Sequence, residues 1–240
     1  MPGANAASAV CDGVAMSELT ARILSAIVLA VAAVASAWTG GTVFALVWAA
    51  LSLLCLHEWL SIVRGKPHYA LWGLGGVAYV AALYYAVLTL RQDALFGLHS
   101  ILFLFAVVWG ADVGAYFAGR AIGGPKLAPR ISPKKTWAGF AGGLVTAALA
   151  GALLLQLMGL TPKLWHIGLA LVLAVGSVLG DLFESGFKRH FGVKDSGSLI
   201  PGHGGFLDRL DGFVIAAVMA ALIGVLRGGT QQAATGLLAF

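Results

Sequence analysis

The sequence predicts an all-α protein, a polytopic helical membrane protein of about seven transmembrane helices. Three observations carry this. Of its 240 residues, 60% are hydrophobic and only 10% charged, against about 25% charged in a soluble domain. Mean hydropathy is +0.91. The apolar residues come in continuous runs of about twenty, enough to cross a bilayer as a helix, and not in the short alternating segments of a membrane barrel.

Residues 1–19 are small and mixed in polarity and read as a loosely ordered tail. Arg22 opens the first apolar run, and no convincing cleavage site follows, so this run is expected to be a retained span over about Ala21–Trp38. Thr39–Gly41 break it. The second span is expected over Val43–Val63, followed by a polar turn at Arg64–Pro67. The third covers Ala70–Leu90 and ends at Arg91, Gln92 and Asp93. The fourth runs from Leu95 to Gly119. A basic loop from Arg120 to Lys135 follows, with three prolines and five positive charges. The fifth span is expected over Trp137–Leu160, a turn at Thr161–Lys163, the sixth over Leu164–Phe183 and the seventh over Gly205–Leu226. Residues 227–240 read as a tail. Spacings such as Gly139–Gly143 predict tight helix packing.

Loop charges orient this chain. With the N-terminus in the cytoplasm, eleven Lys and Arg fall in cytoplasmic segments and three outside, the asymmetry expected of a multi-pass protein of the bacterial inner membrane. The net charge of +5 agrees with that bias and also suits an anionic lipid or nucleotide. No basic face interleaved with aromatics appears, so nucleic acid is not an expected partner. Cys11 and Cys55 belong to no CxxC or Cys/His cluster, which argues against a disulfide framework or a zinc site.

Half of the ten acidic residues lie in Gly180–Gly212, GDLFESGFKRHFGVKDSGSLIPGHGGFLDRLDG, together with Lys188, Arg189, Lys194 and Arg209. Charges gathered beside greasy spans usually mark a site. Asp181, Glu184, Ser185 and Lys188 share one helical face; the bland alternative is a set of intrahelical ion pairs. Pro201–Gly205, with His203 among glycines, suits close backbone approach to a phosphate, a weak signal alone. Asp208 and Asp211 project from one face at the start of the seventh span, where a helix N-terminus favours an anion. Paired carboxylates suit magnesium, which keeps water and phosphate oxygens as its other ligands. In the fourth span Asp112, Tyr116 and Arg120 stand at four-residue steps. Asp112 is either a functional acid or one bonded to a neighbouring helix. Lys134 and Lys135 read as phosphate ligands or cytoplasmic anchors. Carboxylates for a metal, Lys and Arg for phosphates, and a glycine loop between them are the parts of phosphoryl or nucleotidyl transfer.

The run Ser185-x-Phe187-Lys188-Arg189-x4-Lys194-Asp195-x-Gly197-x2-Ile200-Pro201-x-His203-Gly204-Gly205-Phe206-x-Asp208-Arg209-Leu210-Asp211 resembles the signature of the phosphatidate cytidylyltransferases, also called CDP-diacylglycerol synthases. The stretch Trp109–Gly143, containing Ser132-Pro-Lys-Lys-Thr136, also resembles this family, as does Glu58-Trp59. The resemblance implies CTP and phosphatidate as substrates, CDP-diacylglycerol and pyrophosphate as products, and Mg2+, with room for a second cation. It implies Asp181 and Asp208 as metal ligands, with Asp211 holding the second cation or orienting the first. Asp181, Asp208, Asp211 and Lys188 are then the expected catalytic set. Lys134, Lys135, Asp112, Ser185, Arg189, Lys194, His203 and Arg209 are the expected substrate-binding residues. Residues 1–108 become N-terminal transmembrane helices and 109–240 the catalytic region, with cytoplasmic loops 120–136 and 184–205. Membrane lipid and a second copy, as a homodimer, are further expected partners. One departure stands out: the family commonly has a glutamate where this chain has Ala138.

The rival class is an ion-coupled transporter, with charges near the midplane and broken helices in both halves. Here the charges gather at one end. An enzyme acting on another lipid is the third reading; the DGxxAR-type motif of CDP-alcohol phosphatidyltransferases is absent.

Overall fold

The computed structural model describes Ser25 and residues 27–197 and 204–239. Among these described residues, six helices are long and apolar enough to cross a membrane: α2 (Gly41–Val63), α3 (Tyr69–Arg91), α4 (Gly97–Ala121), α5 (Trp137–Leu157), α6 (Leu164–His190) and α7 (Leu207–Gly228). At about 1.5 Å per residue each matches or exceeds a hydrocarbon core of about 30 Å. A shorter apolar helix, α1 (Ile27–Thr39), precedes them. It is the described part of the first expected span; the remainder of that span, apart from Ser25, lies outside the described residues. The polytopic all-α reading therefore holds.

Three expectations need correction. The loop after the fourth span is a hairpin, β1 (Lys126–Ala128) pairing antiparallel with β2 (Ser132–Thr136). Its prolines, Pro129 and Pro133, stand in and beside the turn and so hid the strands from a reading by composition. The sixth span does not stop at Phe183: α6 continues to His190, carrying the charged face with it. The C-terminal segment is not a loose tail but a short helix, α8 (Ala233–Leu238), almost wholly buried. Six residues are too few to show a helical period in the sequence.

Packing explains the helix order. The tightest pair is α4 with α5. Gly139 and Gly143 lie where a Cβ would come to 2.8 Å of the Ala115 and Ala111 carbonyl oxygens, so only glycine lets these backbones meet. Thr146 Oγ1 donates to the Gly110 carbonyl at 2.7 Å across the same seam. Trp48 centres the main core and stacks on Phe105 and Phe213. A second cluster gathers Trp59, Phe187, Phe191 and Leu207, with Trp59 and Phe187 ring centroids 3.9 Å apart. It lies beneath the charged end of the molecule.

At the opposite end Asp93 organises the turns. Its carboxylate accepts from Leu95 N and Phe96 N at the start of α4, and from Thr235 N at 2.7 Å and the Thr235 hydroxyl at 3.1 Å in α8. His166 Nε2 lies 2.9 Å from the Leu238 carbonyl, and Trp165 Nε1 donates to that of Leu237. The turns after α3 and α5 and the C-terminal helix thus share one end, as the alternating topology requires.

Burial pushes the Asp93 carboxyl upward, but the hydrogen bonds from Thr235, Phe96 and Leu95 outweigh it and hold it below the usual carboxylate range. Because the folded value is depressed, its contribution is full above the unfolded value and is lost as pH falls through the folded one. Asp93→Ala is expected to lower stability by about 1–2 kcal/mol at neutral pH. In detergent melts the gap between wild type and variant should narrow on acidification; a gap independent of pH would remove the charge from this account.

Candidate active site

The site is built at the end where α2, α4 and α6 finish and α5 and α7 begin. Its framework is Glu58, on the last turns of α2. This carboxylate is 2% exposed and accepts from Phe206 N at 3.0 Å, Leu207 N at 2.8 Å and Ser196 Oγ at 3.0 Å. A buried acid without partners is strongly destabilising, and here each donor comes from the α6–α7 connection or the first turn of α7. Gly205 lies against the same carboxylate and Ser196 Oγ, so any side chain there would collide with both. The N-terminus of α7, expected to face a bound anion, is therefore taken by the protein's own acid.

Asp208, in the first turn of α7, is equally engaged. Its Oδ1 accepts from Lys188 Nζ at 2.6 Å, and its Oδ2 from Ser196 N and Gly205 N at 3.0 Å each. Lys188 also pairs with Glu184 Oε2 at 2.8 Å, one turn back on α6. Lys188 thus bridges two carboxylates from two helices. Glu184 is fully buried, and its Oε1 has no partner among the described residues.

Asp181 lies one turn before Ser185, whose hydroxyl donates to Asp181 Oδ1 at 3.2 Å. Lys135, from β2, forms an ion pair with Asp181 Oδ2. Thr136 ends that strand and caps α5, its Oγ1 accepting from Gly139 N at 3.0 Å. The hairpin is thereby tied to α5, and Lys135 is aimed at α6. Ala138, where an acid was expected, is half-buried in the first turn of α5. Asp211 accepts from Gly212 N at 2.7 Å.

Between α4, the hairpin, α5 and α6 lies a cavity of about 540 Å³. Asp112, Tyr116, Arg120, Lys134, Lys135 and Asp181 are in its wall. Asp112 is exposed on α4, with Lys135 and Asp181 as its nearest charged influences. The structure therefore brings together Asp112, Asp181, Lys134 and Lys135 at the cavity, and Asp208, Lys188 and Glu184 beside it, with Asp211 three residues after Asp208 on α7. It leaves Arg189, Lys194 and Arg209 exposed on the rim. Among the described residues, Arg189 donates to the Val193 carbonyl, at 3.4 Å. His203 lies outside the described residues. Sequence reasoning gave Glu58 no role, although an acid inside an apolar span is a signal in itself.

The donor set suits a cation. Asp112, Asp181, Glu184, Asp208 and Asp211 crowd together, and Lys135 and Lys188 are the lysines ion-paired with them among the described residues. Within those residues no three His, Cys, Asp or Glu side chains converge closely enough to hold an ion unaided. Water and phosphate oxygens are the usual complement for magnesium.

The model of the cytidylyltransferase family matches residues 68–226, which takes in every described residue of this site except Glu58. A protein of Brucella suis biovar 1 named phosphatidate cytidylyltransferase is 42% identical over 257 residues, covering 88% of this chain and 95% of its own. One of that name from Brucella melitensis biotype 1 is 41% identical over the same shares. Another from Staphylococcus haemolyticus is 48% identical over 142 residues, 59% of this chain and 54% of its own. On the family match and these relatives together, the chain belongs to the cytidylyltransferase family.

Proposed function

We propose that this chain is a phosphatidate cytidylyltransferase, converting CTP and phosphatidate to CDP-diacylglycerol and pyrophosphate. A phosphate oxygen of phosphatidate attacks the α-phosphorus of CTP in line. The bond from the α-phosphorus to the bridging oxygen breaks, and pyrophosphate leaves. The observation that carries this reading is the cavity bounded by Lys134, Lys135, Asp112 and Asp181 at the polar end of six apolar helices. An aqueous nucleotide and a lipid headgroup can both reach such a place. The relatives' names supply the substrates. The six long helices run unbroken, which disfavours a transporter built on interrupted spans.

Both reactants are anions, so catalysis here is chiefly positioning and charge neutralisation. Lys134 and Lys135 receive phosphate oxygens at the cavity, Arg189, Lys194 and Arg209 serve the triphosphate from the exposed surface beside it, and His203 is a further phosphate ligand. Lys188 holds Asp208 and Glu184 in register. Asp181 and Asp208 hold Mg2+, and Asp211 orients them or holds a second cation. When bound, the metal supplies Lewis-acid neutralisation of the phosphates. The loop charges support a cytoplasmic N-terminus in the bacterial inner membrane. Lipid contact and a homodimer belong to the same reading, to be checked by cross-linking in native membranes.

Purified protein supplied with labelled CTP, phosphatidate and magnesium is expected to release pyrophosphate and form a labelled lipid. Folded protein forming no CDP-lipid under any divalent metal would falsify the assignment.

Asp181→Asn and Asp208→Asn should each lower turnover at least about a hundredfold, the scale of losing one electrostatic stabiliser. The double variant should lose little more, since the two act as a unit. Turnover at saturating magnesium checks this, and losses that multiply would separate the residues.

Glu58→Gln keeps size but gives the amide only one acceptor oxygen for three donors. It is expected to lower turnover about tenfold and to cost about 1–3 kcal/mol of stability, as a buried group left unsatisfied does. Unchanged melting and kinetics would show that α7 needs no external cap.

A further inference from the structure

The mechanism above gives no role to two groups in the cavity wall, Tyr116 and Arg120. They stand one turn apart at the end of α4. Arg120 Nη1 donates to the Tyr116 hydroxyl at 2.9 Å. That contact uses a lone pair of the phenol oxygen and leaves its O–H free to donate elsewhere. The rest of the guanidinium fork is not spent on an acid: among the described residues no carboxylate forms an ion pair with Arg120. Of the two acids in the wall, Asp181 is taken by Lys135 and Ser185, and Asp112 has Lys135 and Asp181 as its charged influences. From Val113 to Gly180 the sequence contains no Asp or Glu at all. Among the described residues, the wall therefore presents a fixed pair of donors with no protein anion paired to them.

Their surroundings separate two sources of phosphate. Tyr116 is 57% exposed, and close by in sequence stand Phe117 at 64%, Ile122 at 74% and Trp137 at 54%. In a membrane-spanning protein such apolar side chains face lipid, and Tyr and Trp at the ends of spans mark headgroup depth. The stem of Arg120 can lie along that apolar surface while its head stays in the polar layer. Lys135 and Asp181 meet on the α6 side of the cavity. An anion held by Tyr116 and Arg120 is thus one that arrives from the bilayer side.

We propose that Arg120 and Tyr116 anchor the phosphomonoester of the lipid substrate, and that they set the enzyme's demand for lipid without contributing to nucleotide affinity. This rests on the cytidylyltransferase reading above. A guanidinium fork spans two oxygens of one phosphate, and the phenol O–H supplies a further donor to the same group.

The test is steady-state kinetics in mixed micelles, with the surface fraction of phosphatidate and the CTP concentration varied independently. Arg120→Gln should raise KM for phosphatidate about tenfold or more, the scale of hydrogen bonds to a charged group. KM for CTP should stay within about twofold of wild type on the same scale. Arg120→Lys keeps the charge but not the fork, and should recover only part of the loss. Tyr116→Phe should raise KM for phosphatidate by about threefold. A rise in KM for CTP alone, a fall in kcat alone, or no change in either KM overturns the proposal.

A second arm needs no turnover. Thermal stabilisation of the whole protein is measured with phosphatidate, phosphatidylglycerol, phosphatidylcholine or inorganic phosphate. Stabilisation specific to phosphatidate that disappears in Arg120→Gln supports the anchor. Equal stabilisation by phosphatidylglycerol, or loss confined to inorganic phosphate, overturns it. If wild type binds phosphatidate specifically but forms no CDP-lipid, the reaction fails and the anchor stands. If turnover is normal but binding is not specific, the anchor fails and the reaction stands.

Discussion

The rest of the site depends on one buried carboxylate. Glu58 belongs to α2, yet its three donors belong to the connection after α6 and to the start of α7. A charged group in an apolar bundle has to find several donors or be excluded from it. Satisfying Glu58 therefore fixes where α7 begins, and with it the register of Asp208 and Asp211. The same connection feeds Ser196 N and Gly205 N to Asp208, so one loop serves two acids. Trp59, the next residue, packs on Phe187 under the charged face of α6. Two adjacent residues of α2 thus brace both helices that carry the charged site.

Around that brace Asp112, Asp181, Glu184, Asp208 and Asp211 stand close to Lys134, Lys135 and Lys188. Lys188 and Lys135 each hold carboxylates, but from different sides: Lys188 ties α6 to α7, and Lys135 ties the hairpin to α6. In a medium that screens poorly, such pairs are stronger than at a water surface, and they act as struts. The hairpin deserves its strands for this reason. A flexible loop would let Lys135 wander, whereas a strand capped directly onto α5 through Thr136 delivers it to one place.

Much of this was legible in the sequence. Apolar run length identified the spans, and loop charge placed the two basic connections together, because bilayer thickness and charge exclusion act on every residue alike. The shared face of Asp181, Glu184, Ser185 and Lys188 followed from the helical period and is seen on α6. Three features escaped. The hairpin was masked by its prolines. Helix α8 is too short to show a period, and its burial comes from backbone contact with Gly224 and Gly228. The partners of Glu58 lie 138 to 149 positions away, so no local pattern names them. The same distance effect hid the fact that the start of α7 already has an anion of its own.

The glycine seam between α4 and α5 has a consequence for traffic. With Gly139 and Gly143 pressed on the carbonyls of Ala115 and Ala111, and Thr146 bonded across to Gly110, the two helices form one double-width ribbon. At those glycines such a ribbon leaves no room for an acyl chain between its two helices. For the lipid substrate proposed above, the diacyl tail would lie along the edge of this ribbon while the headgroup turns the corner. On the same reading the two-tailed product would leave by that edge, with the α4–α5 seam kept closed.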